Sequence, residues 1–265
     1  MSGSSSTGVC GISFLSENLM DQAVLSLTTG TANAQFPLTN IQNEATAIKF
    51  RSLENSVVIL ADLQQTRDID SFAIHGDSNE EFGLTSVSIK ISGTTDFTSS
   101  TAIPIAVSGQ DIMGYEYITA TTGRYVEITL TGSGSFAEVS NIFIGERINL
   151  EQNNLSISSF RYGYTDRSKS STNQYGQVFV DERNILKMLQ GRMEFCTKSE
   201  QETLDDMFIR HRRVKPLWVI VDKDSNGMNR GNYKLTVYGY LNRVPEWTAS
   251  GGNHYNATIK VDQAG

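Results

Sequence analysis

The chain has 265 residues, enough for one large domain or two ordinary ones. Hydrophobic residues make up 38% and charged residues 19%, a balance that can bury a core and excludes wholesale disorder. The formal net charge of −7 repels a phosphate backbone, so nucleic acid is not an expected partner.

Residues 1–14 open with a Ser/Gly-rich stretch lacking periodicity and are expected to be a flexible N-terminus. Residues 1–7 carry no basic side chain and no apolar segment follows them, so no secretory signal is expected. The longest apolar runs, such as residues 57–60, are far too short to span a membrane, so no membrane insertion is expected. Cys10 and Cys196 are expected to be free thiols, consistent with assembly in a reducing cytoplasm.

From about residue 33 to residue 146, short strands separated by turn clusters are expected. Residues 56–63 (SVVILADL) read as a strand covered on both faces, and residues 69–75 as a second, separate strand. Residues 85–92 (TSVSIKIS) alternate, with Val87, Ile89 and Ile91 on one face. Residues 124–130 alternate too, and residues 137–144 close the set. Many short strands at this spacing predict a β-sandwich of jelly-roll type over residues 15–148.

The polar segment 146–154 marks a boundary, and residues 149–265 are expected as a second unit. Residues 165–176 (TDRSKSSTNQYG) predict a long exposed loop, flanked or populated by Arg161, Tyr162, Tyr164, Arg167 and Tyr175. Strands are expected at 178–181 and 192–196. Ser199 and Glu202 have the spacing of a capping box, predicting a helix over 199–213 with Leu204, Met207, Phe208 and His211 on one face. Pro216 stops it. Residues 217–221 (LWVIV) and 233–240 predict a hairpin, and residues 256–261 a last strand.

A search for chemistry finds no nucleophile elbow, phosphate loop, dinucleotide fingerprint or HExxH. His75, His211 and His254 lack ligand spacing and are expected to serve packing or capping. The acidic pairs Glu80-Glu81 and Asp205-Asp206 read as solvated surface, because neighbours on a helix point apart. Residues 222–227 (DKDSNG) match the first half of a calcium loop, but Tyr233 stands where a bidentate Glu is required. Arg210, His211, Arg212, Arg213 and Lys215 form the one basic cluster, at a helix C-terminus where positive charge suits the dipole. No catalytic, cofactor-binding or metal-binding residue is assigned, and the chain is not expected to be an enzyme.

Two segments carry a resemblance. Phe36-Pro37-Leu38-Thr39-Asn40-Ile41, then Phe50-Arg51-Ser52, then Ala61-Asp62-Leu63, then Ile74-His75-Gly76 follow one another as in the discoidin-like, galactose-binding-like jelly roll. Phe50 replaces that pattern's Trp and Gln64 replaces its Gly. Many such domains bind sugars through loops at one end; no sugar-binding residue carries over to this chain, whose end loops 77–83 and 109–117 hold Phe82, Tyr115 and Tyr117. The C-terminal half, a strand, one helix, the Leu217 strand and a hairpin, is similar to the split β-barrel with one packed helix of phage tail proteins. That similarity implies a virion structural protein of the distal tail or baseplate, built in the host cytoplasm. It also implies a homo-oligomer, ring or trimer, that contacts other tail proteins through the 165–176 loop. The alternative is a carbohydrate-binding virion module that meets a host surface glycan.

Overall fold

The computed structural model describes residues 11–76, 83–105, 107, 113–150, 159–183, 185–222 and 235–264. The chain divides into two compact units. One runs Leu15–Ile148, and the other takes the chain from Asn149 onward together with the N-terminal residues through Phe14. Strand β1 (Gly11–Leu15) therefore corrects the expectation of a flexible tail as far as residue 14. Ile12, Phe14 and Leu15 are buried, and β1 is an interior strand of the C-terminal sheet.

The unit Leu15–Ile148 is a jelly-roll β-sandwich. Its strands are β2 (Val24–Thr29), β3 (Phe50–Arg51), β4 (Ser56–His75), β5 (Leu84–Ser92), β6 (Ile103–Ile105), β7 (Met113–Gly132), β8 (Glu138–Val139) and β9 (Asn141–Gly145). Residues 56–63 and 69–75, expected as two strands, are one continuous strand of 20 residues. Laid straight it would span about 65 Å, against a radius of gyration of about 14 Å for a domain of this length. It has to bend, and the register shifts between Asp62 and Arg67 and between Ile69 and Ser71 mark where it does. Before the bend, β4 pairs with β2 and with the second half of β7. Beyond it, β4 pairs with β9 and with the first half of β7. The two long strands thus pass from one layer of the sandwich to the other.

The core follows the register. Leu27, Ile59, Ile128 and Ile89 lie side by side across four strands, next to the row Ala61, Val126 and Ile91. Phe50 and Phe72 are fully buried in the same cluster. Two 3-10 turns, Leu19–Gln22 and Leu38–Gln42, seal it with Met20 and Ile41. Pro37 precedes the second turn, and Asn40 Nδ2 donates to Lys49 O at 2.8 Å, tying that turn to the approach of β3.

The other unit contains β10 (Arg147–Asn149, at the division), β11 (Arg161–Asp166), β12 (Lys169–Thr172), β13 (Val178–Asp181), β14 (Ile185–Thr197), α1 (Lys198–His211), β15 (Leu217–Asp222), β16 (Thr236–Leu241), β17 (Trp247–Gly251) and β18 (His254–Gln263). The main sheet runs β10-β1-β15-β16-β18-β14-β11, with β17 on β18. Among the described residues the end strands β10 and β11 do not meet, so this is an open sheet with one helix rather than a closed barrel. Strand β17 was not anticipated from sequence.

The N-cap of helix α1 lies two residues before the expected one, and the helix ends two residues before its expected last residue. Thr197, the last residue of β14, is the N-cap, and its box partner is Glu200 rather than Glu202. Glu200 N donates to Thr197 Oγ1 at 3.3 Å, and Thr197 N donates to Glu200 Oε2 at 2.7 Å. The helix stops at His211 because Arg212 turns to φ +48°. Leu204, Met207, Phe208 and His211 are buried as expected. Phe208 lies edge-on to Phe14 at 5.9 Å and 6.4 Å from Trp247, which joins the helix to β1 and β17.

His211 is buried, and its Nδ1 is 3.0 Å from Pro216 O and 3.3 Å from Lys215 O. Burial holds its imidazole below the ordinary value. The two carbonyls favour the charged form, and the nearby charges of Lys215 and Arg210 oppose it. A base depressed in this way binds fewer protons folded than unfolded. Its contribution is complete above the unfolded value, about 6.5, and is lost as pH falls towards the folded value. Thermal unfolding is expected at lower temperature as pH drops from about 7.5 to about 5.5. His211→Asn, which keeps a donor without titrating, should flatten that fall; an unaltered pH slope in the variant contradicts the assignment.

Candidate functional site

The segment Phe50-Arg51-Ser52 puts three side chains to three different uses at one end of the sandwich. Phe50 points into the core. Ser52 Oγ accepts from Ala137 N at 2.9 Å and donates to Glu54 O at 2.5 Å. Arg51 lies directly across from Glu138 in the β3–β8 ladder. Its Nε donates to Glu138 Oε2 at 2.5 Å, and Lys49 Nζ donates to Oε1 at 2.7 Å. The guanidinium is held between two rings, 4.8 Å from the Phe36 centroid and 4.3 Å from that of Phe136. Both oxygens of a nearly buried carboxylate are therefore bonded to cations. The cluster fastens the 33–36 turn, β3 and β8 together, and leaves Phe136 36% exposed with its ring against Arg51.

The aromatic side chains expected to meet a sugar are placed otherwise. Tyr115 is 3% exposed and packs 5.4 Å from Tyr117, whose ring is covered by Arg147 at 4.4 Å. Both belong to the first paired residues of β7, not to an end loop. Phe82, Glu80, Glu81 and the calcium-like run 223–227 lie outside the described residues, as does Cys10. Cys196 is buried and forms no disulfide among the described residues. His75 is fully buried, with Nδ1 donating to Gly76 O at 2.5 Å. His254 sits edge-on to Phe195 at 6.4 Å. Asp205 accepts from Trp247 Nε1 at 3.3 Å while Asp206 is exposed, so the two do not act together. Among the described residues no three His, Cys, Asp or Glu side chains gather as a metal site requires.

The larger surface feature was missed by sequence. Residues 165–176 are not a loop. Strands β12 and β13 pair from Lys169↔Asp181 to Thr172↔Val178 and prolong the β11–β14 pair, which ends at Asp166↔Ile185. Ser168 N donates to Asp166 Oδ1 at 2.8 Å and Arg183 N to Ser168 Oγ at 3.0 Å, holding the junction. Asn173 Oδ1 accepts from Tyr175 N and Gln177 N at 2.9 and 3.0 Å, and Gly176 adopts φ +80° to turn the tip. Among the described residues nothing covers the ribbon. Val178, Phe179 and Val180 are 62%, 58% and 66% exposed, and Tyr175 is 80% exposed. At its base Tyr162, Tyr164 and Ile185 are also exposed. In the β11–β14 ladder Tyr162 lies opposite the buried Leu189, so this apolar face continues the core face of the sheet out to its edge. Arg161 and Arg167, named with these tyrosines, are exposed on the same segment.

No family model and no curated protein sequence matches the chain. Solved structures do. A Clostridium perfringens carbohydrate-binding module in complex with GalNAc-β-1,3-galactose is 12% identical, covering 49% of this chain and 100% of its own, with a TM-score of 0.40. A Streptococcus pneumoniae fucose-binding module is 13% identical over 49% of this chain and 98% of its own, with a TM-score of 0.42. A family 32 module of C. perfringens in complex with galactose is 14% identical over 52% and 99%, with a TM-score of 0.40. No residue of this chain is assigned a role from them.

Glu138→Gln removes one charge from between two cations that are themselves mostly covered. The expected loss is about 2 kcal/mol of stability in urea unfolding, and a loss within error would show that the cluster is ornamental.

Proposed function

We propose that this chain is a non-catalytic attachment and recognition protein, one unit fastening it to a protein assembly and the jelly roll meeting a ligand. The observation that carries the attachment is the uncovered apolar ribbon. A lone two-stranded ribbon is marginal in water, and three consecutive large apolar residues on it are anomalous for a surface that stays wet. Covering Val178, Phe179 and Val180 is worth about 1.5–3 kcal/mol each. That gross gain is comparable to the cost of association, about 4–15 kcal/mol. One ribbon is thus a weak fastener, and several in a symmetric assembly are a strong one.

The order of the units, the ribbon and the single packed helix support a finer placing. In it the protein is a virion structural component of a tailed phage, made in the host cytoplasm. It forms a ring or trimer at the distal tail or baseplate and joins the tail tube to peripheral proteins or fibres. The ribbon is best tested by substitution, because removing 167–173 alone would strand β13 without its partner. Val178→Ser, Phe179→Ser and Val180→Ser together should leave the thermal unfolding temperature unchanged and lower the light-scattering mass of the assembly. A mass unchanged by the triple substitution refutes the attachment role.

A second reading concerns the jelly roll as a glycan-binding unit at a host surface. The part-exposed Phe136 ring beside Arg51 favours it, since sugar faces stack on rings and hydroxyls accept from cations. Binding to a glycan array that disappears in Phe136→Ala is the expected result; an array without hits removes this reading.

A further inference from the structure

Strand β2 ends the larger sheet of the sandwich and pairs only with β4 among the described residues. Its outer edge offers unpaired backbone groups, and proteins normally blunt such an edge with charge, proline or extreme shortness. Among the other described edges, β9 has backbone groups at Ile142 and Ile144 bonded to Asn18, and the rest show those devices. Strand β6 has three residues and contains Pro104. Strand β10 has three and starts at Arg147. Strand β11 carries Arg161 and Asp166, and β17 is interrupted by a register shift before Gly251. Strand β2, VLSLTT, has six residues with no charge and no proline, and its one register shift comes only after Leu27. From Gln22 to Asn43 the chain carries no ionisable side chain at all. Val24 is 60% exposed, Ser26 and Thr28 are exposed, and Leu25 and Leu27 reach the core while staying partly open.

We infer that the β2 edge is an interface between two copies of this chain, pairing β2 with β2 antiparallel across a two-fold axis. A two-fold patch must be complementary to itself. For a chain of net charge −7, the place where two identical surfaces meet without repulsion is one free of charge, and this edge is such a place. The register follows from the side chains. Residues directly opposite in a ladder share a face, so the axis passes through a residue and not between two. The shift between Leu27 and Thr29 ends the regular stretch at Leu27. An axis at Ser26 sets Ser26 against Ser26 and Leu25 against Leu27 on the core side. Each leucine left partly open in one copy is covered by the other.

The test uses the full chain. Light scattering at high micromolar concentration should give an even multiple of the chain mass. Ser26→Lys with Thr28→Lys, both on the solvent face, should halve that mass without lowering the unfolding temperature. Independently, Ser26→Cys in a Cys10→Ser background should form an intermolecular disulfide on mild oxidation, and Thr95→Cys, on an exposed turn, should not. A wild-type monomer, a mass indifferent to the two lysines, or a Ser26→Cys variant that stays reduced overturns the inference. The ribbon is untouched by these changes, so the outcome is separate from that of the ribbon substitutions.

Discussion

Strands β4 and β7 lie antiparallel from Ser56↔Thr131 to His75↔Met113, and every other strand of the jelly roll's main sheet pairs with one of them or with a strand that does. The pair can serve both layers only if it bends in the middle, and the bend is held by specific chemistry. Asp62 takes a two-pronged bond from Arg124 on the facing strand, 2.7 and 2.8 Å, and accepts from Gln64 N at 2.8 Å. The Arg124 bond holds its carboxyl below the usual range. Gln64 adopts φ +66°, a conformation that costs a side chain about 1 kcal/mol. Across from it, a Cβ on Gly123 would come within 2.3 Å of Ile91 Cγ2, so the facing strand is pressed close at the same level. Loosening the bend would undo the layer that carries β9 and the one that carries β2 together.

That bend explains one limit of reading the sequence. The segments on either side of it were visible because apolar side chains recur every second residue where one face is buried. The residues between, Gln64 to Asp68, are polar, and polar residues between strands read as a turn; only pairing with β7 shows that the strand continues. Gln64 itself carried a signal. It stands where the jelly-roll pattern has Gly, and its positive φ is the reason glycine suits that position. Helix α1 was legible for the reason such helices usually are, an apolar stripe and a cap. Its start was misplaced because Thr197 and Glu200 have the same spacing as Ser199 and Glu202, and the choice depends on where β14 releases the chain.

The ribbon was legible only in part. Strand β13 lies where residues 178–181 predict it, but periodicity in sequence records burial, and neither face of β12 is buried in the isolated chain. A polar strand with nothing to bury against has no pattern to show. The residues 165–176 were therefore read as a loop, although Asn173 and Gly176 marked the tip of a hairpin all along. The same logic turns the surprise into information. Val178, Phe179 and Val180 are apolar without a counterpart among the described residues of their own chain, and what they pack against has to come from elsewhere.

Polar chemistry and apolar chemistry are thus distributed in opposite senses. Glu138 has both oxygens bonded to cations, Asp62 is saturated by Arg124 and Gln64, and buried Ser140 donates to the backbone at His75, beside an imidazole committed to Gly76. These groups fix corners and bends. Among the described residues, open capacity for a partner lies in backbone groups along the outer edge of β2 and in the bare side chains of β13. Each is too small to hold a partner tightly alone, since apolar gains of this size are offset by the cost of association. Repetition changes that balance: once one contact forms between copies, the next is made at high effective concentration. A protein that buries its polar chemistry and leaves open edges and an apolar ribbon is arranged to act by being one of many.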